Sequence, residues 1–144
     1  MKKMVLLLSL ASAPAMACNQ GDLAGRWNLF VEDFSCLMTV QQSGKVNAGQ
    51  CVQMGEDPDD AKSREAVRGN LKVQPDCRVT GQLNTEDRDG RDLKLKIGQS
   101  RLGQSSGVWQ GVIFVGRTSS PAFNLGDDVI VSGEYARIGA VLVD

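Results

Sequence analysis

No histidine occurs anywhere in the 144 residues. That absence excludes Ser-His-Asp triads, Cys-His pairs and histidine metal sites. Charge of one sign is also missing. Sixteen basic residues face seventeen acidic ones for a net charge of −1, so no broad basic field attracts nucleic acid. No Cys-x-x-Cys is present, and beyond the N-terminus no run of eighteen apolar residues could cross a bilayer as a helix. Helical periodicity is weak after residue 22. The best helical stretch, Asp59 to Val67, reads as a loop with one helical turn.

What is present suits one packed domain. Apolar residues make up 42% of the chain and charged residues 23%. Residues 1–17 read as a secretory signal. Lys2 and Lys3 form its basic start, Met4 to Ala13 its short apolar core, Pro14 a break, and Ala15-Met16-Ala17 a small-x-small cleavage site. Removing it leaves residues 18–144, with 14 basic and 17 acidic residues and a net charge of −3. The expected location is periplasmic or secreted. Cys18 would become the first mature residue, and a cysteine there is also the mark of a bacterial lipoprotein, so lipidation at Cys18 and an outer-membrane location form the alternative.

Period-two alternation recurs along the mature chain. It predicts strands near 26–31, 36–41, 45–54, 67–73, 77–83, 92–98, 108–115 and 128–137, with Ala140 to Val143 extending the last past Gly139. Hairpin arithmetic tests the pattern, because inward residues must oppose inward residues. A Gln74-Pro75-Asp76 loop opposes Val73 to Cys77 and Leu71 to Val79. An Arg88-Asp89-Gly90 turn opposes Leu83 to Leu95 and Gly81 to Ile97. A Gln42-Ser43-Gly44 turn opposes Val40 to Val46 and Met38 to Ala48. Consecutive hairpins with one apolar face each predict an all-β, eight-stranded antiparallel up-and-down barrel, with a two-sheet sandwich as the alternative. The seventh strand is apolar on both faces. Its outer row, Val108, Val112 and Phe114, is expected to lie under a loop such as Thr118 to Asp127, or else to form an interaction surface.

Four cysteines in an exported chain suggest a disulfide framework. A one-residue bulge at Gly49 sets Cys51 opposite Cys36 on the inner face. Cys77 then pairs with Cys18 by elimination, unless Cys18 is acylated.

The acidic residues offer little catalytic chemistry. Asp87-x-Asp89-Gly90-x-Asp92 has the look of a calcium loop, but Thr85 and Lys96 fall at its outer ligand positions, and a hairpin turn is the better reading. Glu56-Asp57-Pro58-Asp59-Asp60 reads as a solvated loop, with weak calcium binding or docking on a basic surface as its functional readings. Acids placed in turns lack the burial that raises a general acid's pKa, so the chain is read as no enzyme, with no metal and no cofactor. Ser132-Gly133-Glu134-Tyr135 is similar to a Ser-Gly-x-x-Tyr segment of some periplasmic lysozyme inhibitors. Its plainer reading puts Tyr135 in the barrel wall.

A longer pattern joins Leu23-Ala24-Gly25-Arg26-Trp27-Asn28-Leu29 to Cys36-Leu37-Met38 and Cys51-Val52. Over these thirty or so residues the chain resembles the bacterial metalloprotease inhibitor (Inh) family, and more broadly the calycins, which share the Gly-x-Trp strand. The resemblance implies a periplasmic eight-stranded barrel plugged by Gly25 and Trp27. It also implies a Cys36–Cys51 pair and an interaction arm at Asn19, Gln20, Gly21 and Asp22. The expected function is an exported binding module, with inhibition of a secreted hydrolase as precedent and an unidentified protein as partner. The alternatives are a small-ligand carrier, for which inward Gly69, Gly81, Gly111 and Gly133 would leave space, and a lipoprotein accessory subunit of a larger assembly.

Overall fold

The computed structural model describes residues 17–87, 90–103, 107–118 and 130–143. Residues 1–16 of the expected signal segment lie outside the described residues, as do Arg88, Asp89 and all but Thr118 of the expected Thr118 to Asp127 loop. Nine strands form among the described residues: β1 (Gly25–Val31), β2 (Phe34–Val40), β3 (Lys45–Gln53), β4 (Arg64–Ala66), β5 (Arg68–Val73), β6 (Arg78–Glu86), β7 (Asp92–Leu102), β8 (Val108–Thr118) and β9 (Ile130–Val143). Each pairs antiparallel with its neighbours, and β1 closes on β9 through Arg26↔Val143 to Val31↔Ile138. The result is a closed eight-stranded up-and-down barrel with β4 as an extra strand on β3. Closure leaves the barrel strands without free edges, which decides against the sandwich.

Glycine and one cysteine set the turns. Gly44 (φ 86°) and Gly90 (φ 73°) take left-handed positions in the β2–β3 and β6–β7 turns. The β6–β7 register is the expected one, with Leu83 opposite Leu95 and Gly81 opposite Ile97. Between β5 and β6 the register is corrected by two residues: Val73 opposes Val79 and Leu71 opposes Gly81. The loop is Pro75-Asp76-Cys77, with Cys77 itself left-handed at φ 65°. A shift of two preserves the inward face, so the apolar pattern alone could not detect it. The β2–β3 bulge exists but lies earlier than Gly49. Val40 opposes Val46 while Thr39 opposes Ala48, leaving Asn47 as the extra residue and moving Met38 from Ala48 to Gly49. Cys36 then faces Cys51 as expected.

Strand β7 runs four residues past the predicted end. Gly98 is unpaired on both sides, and the inward row resumes at Ser100 and Leu102. The Asp59 to Val67 stretch holds one 3₁₀ turn, Ala61–Ser63, before β4 begins.

Two indoles fill the barrel. Trp27 and Trp109 are fully buried and meet edge to face, ring centroids 6.2 Å apart. Trp27 Nε1 donates to the Leu23 carbonyl at 2.8 Å, and Trp109 Nε1 donates to Ser100 Oγ at 2.7 Å. Gly25-Arg26-Trp27 at the start of β1 and Gly107-Val108-Trp109 at the start of β8 are alike for one physical reason. Both β1 and β8 flank β9, and a Cβ on either Gly25 or Gly107 would crowd the Leu142 side chain at 2.7 or 2.9 Å.

Both disulfides form, Cys36–Cys51 and Cys18–Cys77, with no free cysteine among the described residues. Two bridges suit an oxidising, non-cytoplasmic compartment. No helix among the described residues is long and apolar enough to cross a membrane.

Candidate functional site

The expected arm is folded onto the barrel. Asn19 caps a 3₁₀ turn, Gln20–Leu23, by accepting from Gly21 N, while Asp22 accepts from Asn19 N. The Gln20 side chain substitutes for a neighbouring strand: its Nε2 donates to Leu71 O at 3.2 Å, and its Oε1 accepts from Val73 N at 3.0 Å. Leu23 closes the barrel end over Trp27, and Cys18 is anchored both by its bridge to Cys77 and by a bond to the Pro75 carbonyl. Asn19, Gly21 and Asp22 remain exposed on this tethered segment.

Gly69, Gly81 and Gly111 do not open a ligand space. A Cβ on Gly69 would overlap the Gln82 carbonyl, one on Gly81 the Asn70 carbonyl, and one on Gly111 the Gln99 carbonyl. These glycines let adjacent backbones approach closely. Gly133 pairs with Gly116, and its surroundings lie outside the described residues. The side chains of Ser132, Glu134 and Tyr135 lie outside them too.

Asp87 is a turn staple rather than a ligand. It is buried, accepts from Arg91 N at 2.9 Å and pairs with Arg91 Nε at 2.8 Å. Among the described residues no cluster of Cys, Asp and Glu could hold a metal ion. In the acidic loop Asp57, Asp59 and Asp60 are exposed, as expected, and Asp57 and Asp60 spend carboxylate oxygens on local backbone amides. Glu65 on β4 keeps its proton above the ordinary glutamate range. Partial burial is the main cause, and the nearby carboxylates of Glu86 and Asp87 add to it.

The surface that the fold leaves unexplained lies outside β9, β1, β2 and β3. Phe30, Leu37 and Val141 are 44–47% exposed, and Met54 is 69% exposed. Register makes the first three neighbours. Val141 opposes Asn28, which opposes Leu37, and Phe30 lies in the adjoining row between Gly139 and Ser35, with Val52 beyond. Val108 extends the patch onto β8 opposite Val141, and Val143 extends it along β9. Beside Leu37, Val52 and Met54 opens a cleft of about 460 Å³ whose far wall is Pro58, Asp59 and Arg64. Arg64 shapes that wall by donating to the Pro58 carbonyl at 2.8 Å. Scattered exposed apolar residues need no explanation, but a contiguous set across several strands marks a contact surface.

Sequence reasoning looked for such a patch outside β8, where Val108, Val112 and Phe114 turn out half-buried. It missed Phe30, Leu37 and Val141. The signal was available: each is an apolar residue at an outward position of a strand whose inward positions were already assigned. Compared with known proteins, the chain matches no family model, no curated protein and no solved structure.

Proposed function

We propose that the chain is an exported, non-enzymatic β-barrel module that binds a protein partner, and that the periplasm or the extracellular space is where it works. The observation that carries this reading is the contiguous apolar outer face of Phe30, Leu37, Val141 and Met54. A barrel whose inward side chains pack on two indoles supports binding on the outside rather than carriage of a small ligand within. The disulfide at Cys18 engages the thiol that an acyl thioether would need, which favours a free module over a lipidated accessory subunit. Inhibition of a secreted hydrolase is the form of binding that the Inh-like N-terminal pattern suggests.

The test is photo-crosslinking in the native host from Phe30 and from Leu37, with Lys45 and Lys72 as control positions. The expected result is one discrete protein adduct shared by the first two positions and absent from the controls. No adduct, or the same adducts from all four, overturns the proposal. Assays of secreted metalloproteases and lysozymes at micromolar module then decide whether binding inhibits; no inhibition removes the inhibitor form of the reading.

A further inference from the structure

One cross-strand row runs outward across most of the barrel: Arg78, Arg101, Gln110, Gly139, Phe30, Ser35, Val52. Its second half is the apolar face already described. Its first half lies in an open groove of about 700 Å³ outside β6 to β9, where Arg78, Arg101 and Arg137 stand around Gln99, Gln110 and Val112. The Gly98 bulge creates this groove, because it turns Gln99 and Arg101 outward where an unbroken strand would have turned them in.

The charges are unfavourably arranged for the barrel alone. Arg78 and Arg101 sit directly opposite each other, and like charges at such positions destabilise a sheet. Neutralisation is slight. Among the described residues, Arg78 Nε lies 4.0 Å from Asp76 Oδ2 with both groups half exposed, Arg101 donates to the Asp76 carbonyl, and Arg137 has no ion pair. Guanidinium groups bind carboxylates in a planar, two-pronged geometry, so three under-paired arginines around one groove form an anion receptor.

We infer that this groove is the polar half of the interface and receives an acidic segment of the protein partner. The inference rests on the binding-module reading. Phe30 lies three strands from Arg101, about 14 Å along the surface at roughly 4.8 Å per strand, with Gly139 open between them. An extended segment of four or five residues spans that distance, placing carboxylates on the arginines and an apolar side chain on Phe30 and Val141. An anionic membrane fits less well, because exposed Asp59 lines the apolar cleft, with exposed Asp57 and Asp60 next to it in the chain, and a negative surface would repel them.

The experiment uses the folded, oxidised chain and an acetylated peptide repeating Glu-Leu-Glu-Gly. Its controls are the Gln counterpart of that peptide, inorganic phosphate, and phosphatidylglycerol–phosphatidylcholine vesicles. Titration is followed by NMR at the arginine Nε–H groups and at the amides of Gln99 and Gln110. The expected result is that the Glu peptide shifts these signals and binds more weakly as salt rises from about 50 to about 300 mM. Arg101→Glu with Arg137→Glu should weaken it by about tenfold or more, and Arg101→Gln by less. Lys45→Glu with Lys72→Glu should change it by less than about twofold, with unchanged circular dichroism confirming that each variant folds.

Equal binding by the Gln peptide, a phosphate affinity matching the Glu peptide's, or vesicle binding that alone responds to the arginine changes would each overturn the inference. The crosslinked adduct separates the two readings. Should it form from Phe30 at full strength in the double reversal, the groove proposal fails while the module stands. If the unaltered chain forms none, both fail.

Discussion

Inside the barrel and outside it, alternate residues of the same strands answer to different demands. Inward positions are over-determined. Trp27, Leu29, Cys36, Met38, Leu83, Leu93, Trp109 and Ile113 are all buried to within 1% of complete, and both indole N–H groups have partners. Outward positions carry features that folding does not require, namely exposed Phe30 and Leu37 and an opposed pair of arginines. The inside explains how the chain folds, and the outside is where most departures from what folding asks are found. That difference is where function is to be sought.

The sharpest test of the inside is Trp27→Ala. Removing a fully buried indole that abuts Trp109 should cost about 3 to 5 kcal/mol by opening a cavity. Urea unfolding measures it, and a loss under about 1 kcal/mol would mean that Trp27 is no core plug. Next comes the tether. Replacing Cys18 and Cys77 together by serine releases a 59-residue separation, worth about 4 kcal/mol in the chain-entropy model, against about 3 kcal/mol for the 15-residue separation of Cys36 and Cys51. Hydrogen exchange should also accelerate at the Gln20–Leu23 turn in the first variant alone. Unchanged exchange there would show that Gln20 and Leu23 hold the segment without the bridge.

A third change probes an inward position where the packing is imperfect. Thr85 is buried on β6, and its Oγ1 has no hydrogen-bond partner. Thr85→Val keeps the shape and removes the stranded hydroxyl, so stability should rise by about 1 kcal/mol. A fall in the melting temperature would instead reveal a partner for that hydroxyl.

The inside was largely legible in the sequence, for a physical reason. A period of two has only two phases, so Leu93, Leu95 and Ile97 settle the inward face of β7 with no knowledge of its neighbours. Phase, however, is blind to even shifts. The β5–β6 register slipped by two because a left-handed Cys77 in the turn has no sequence signature comparable to Gly90. Phase is also lost at a bulge. Gly98 hid Ser100, Leu102 and with them Arg101 of the groove, while the cysteine pair betrayed the bulge at Asn47 only approximately. The Cys18–Cys77 bridge came from counting rather than geometry. The outer surface was least legible, because Arg78, Arg101 and Arg137 are distant in the chain and meet only through three strand registers.

The smallest expected effect lies where inside and outside meet. Glu65 opposes Cys51 at the half-buried rim, near Glu86 and Asp87, and its pKa is raised by desolvation first and by those two carboxylates second. The folded chain therefore holds this proton at pH values where the unfolded chain has released it. Stability linked to Glu65 is fully present below the ordinary glutamate pKa and is lost as pH rises through the raised one. At neutral pH the ionised carboxylate opposes folding, so Glu65→Gln should stabilise by a few tenths of a kcal/mol, within the range of about ±0.5 kcal/mol typical of surface changes. The gain should vanish on acidification below the glutamate range, where wild type and variant carry the same charge. Melting temperatures of the two chains compared from acid to neutral pH would reveal it. A difference that stayed constant with pH would place the effect in packing, and Glu65 would then belong to the inside alone.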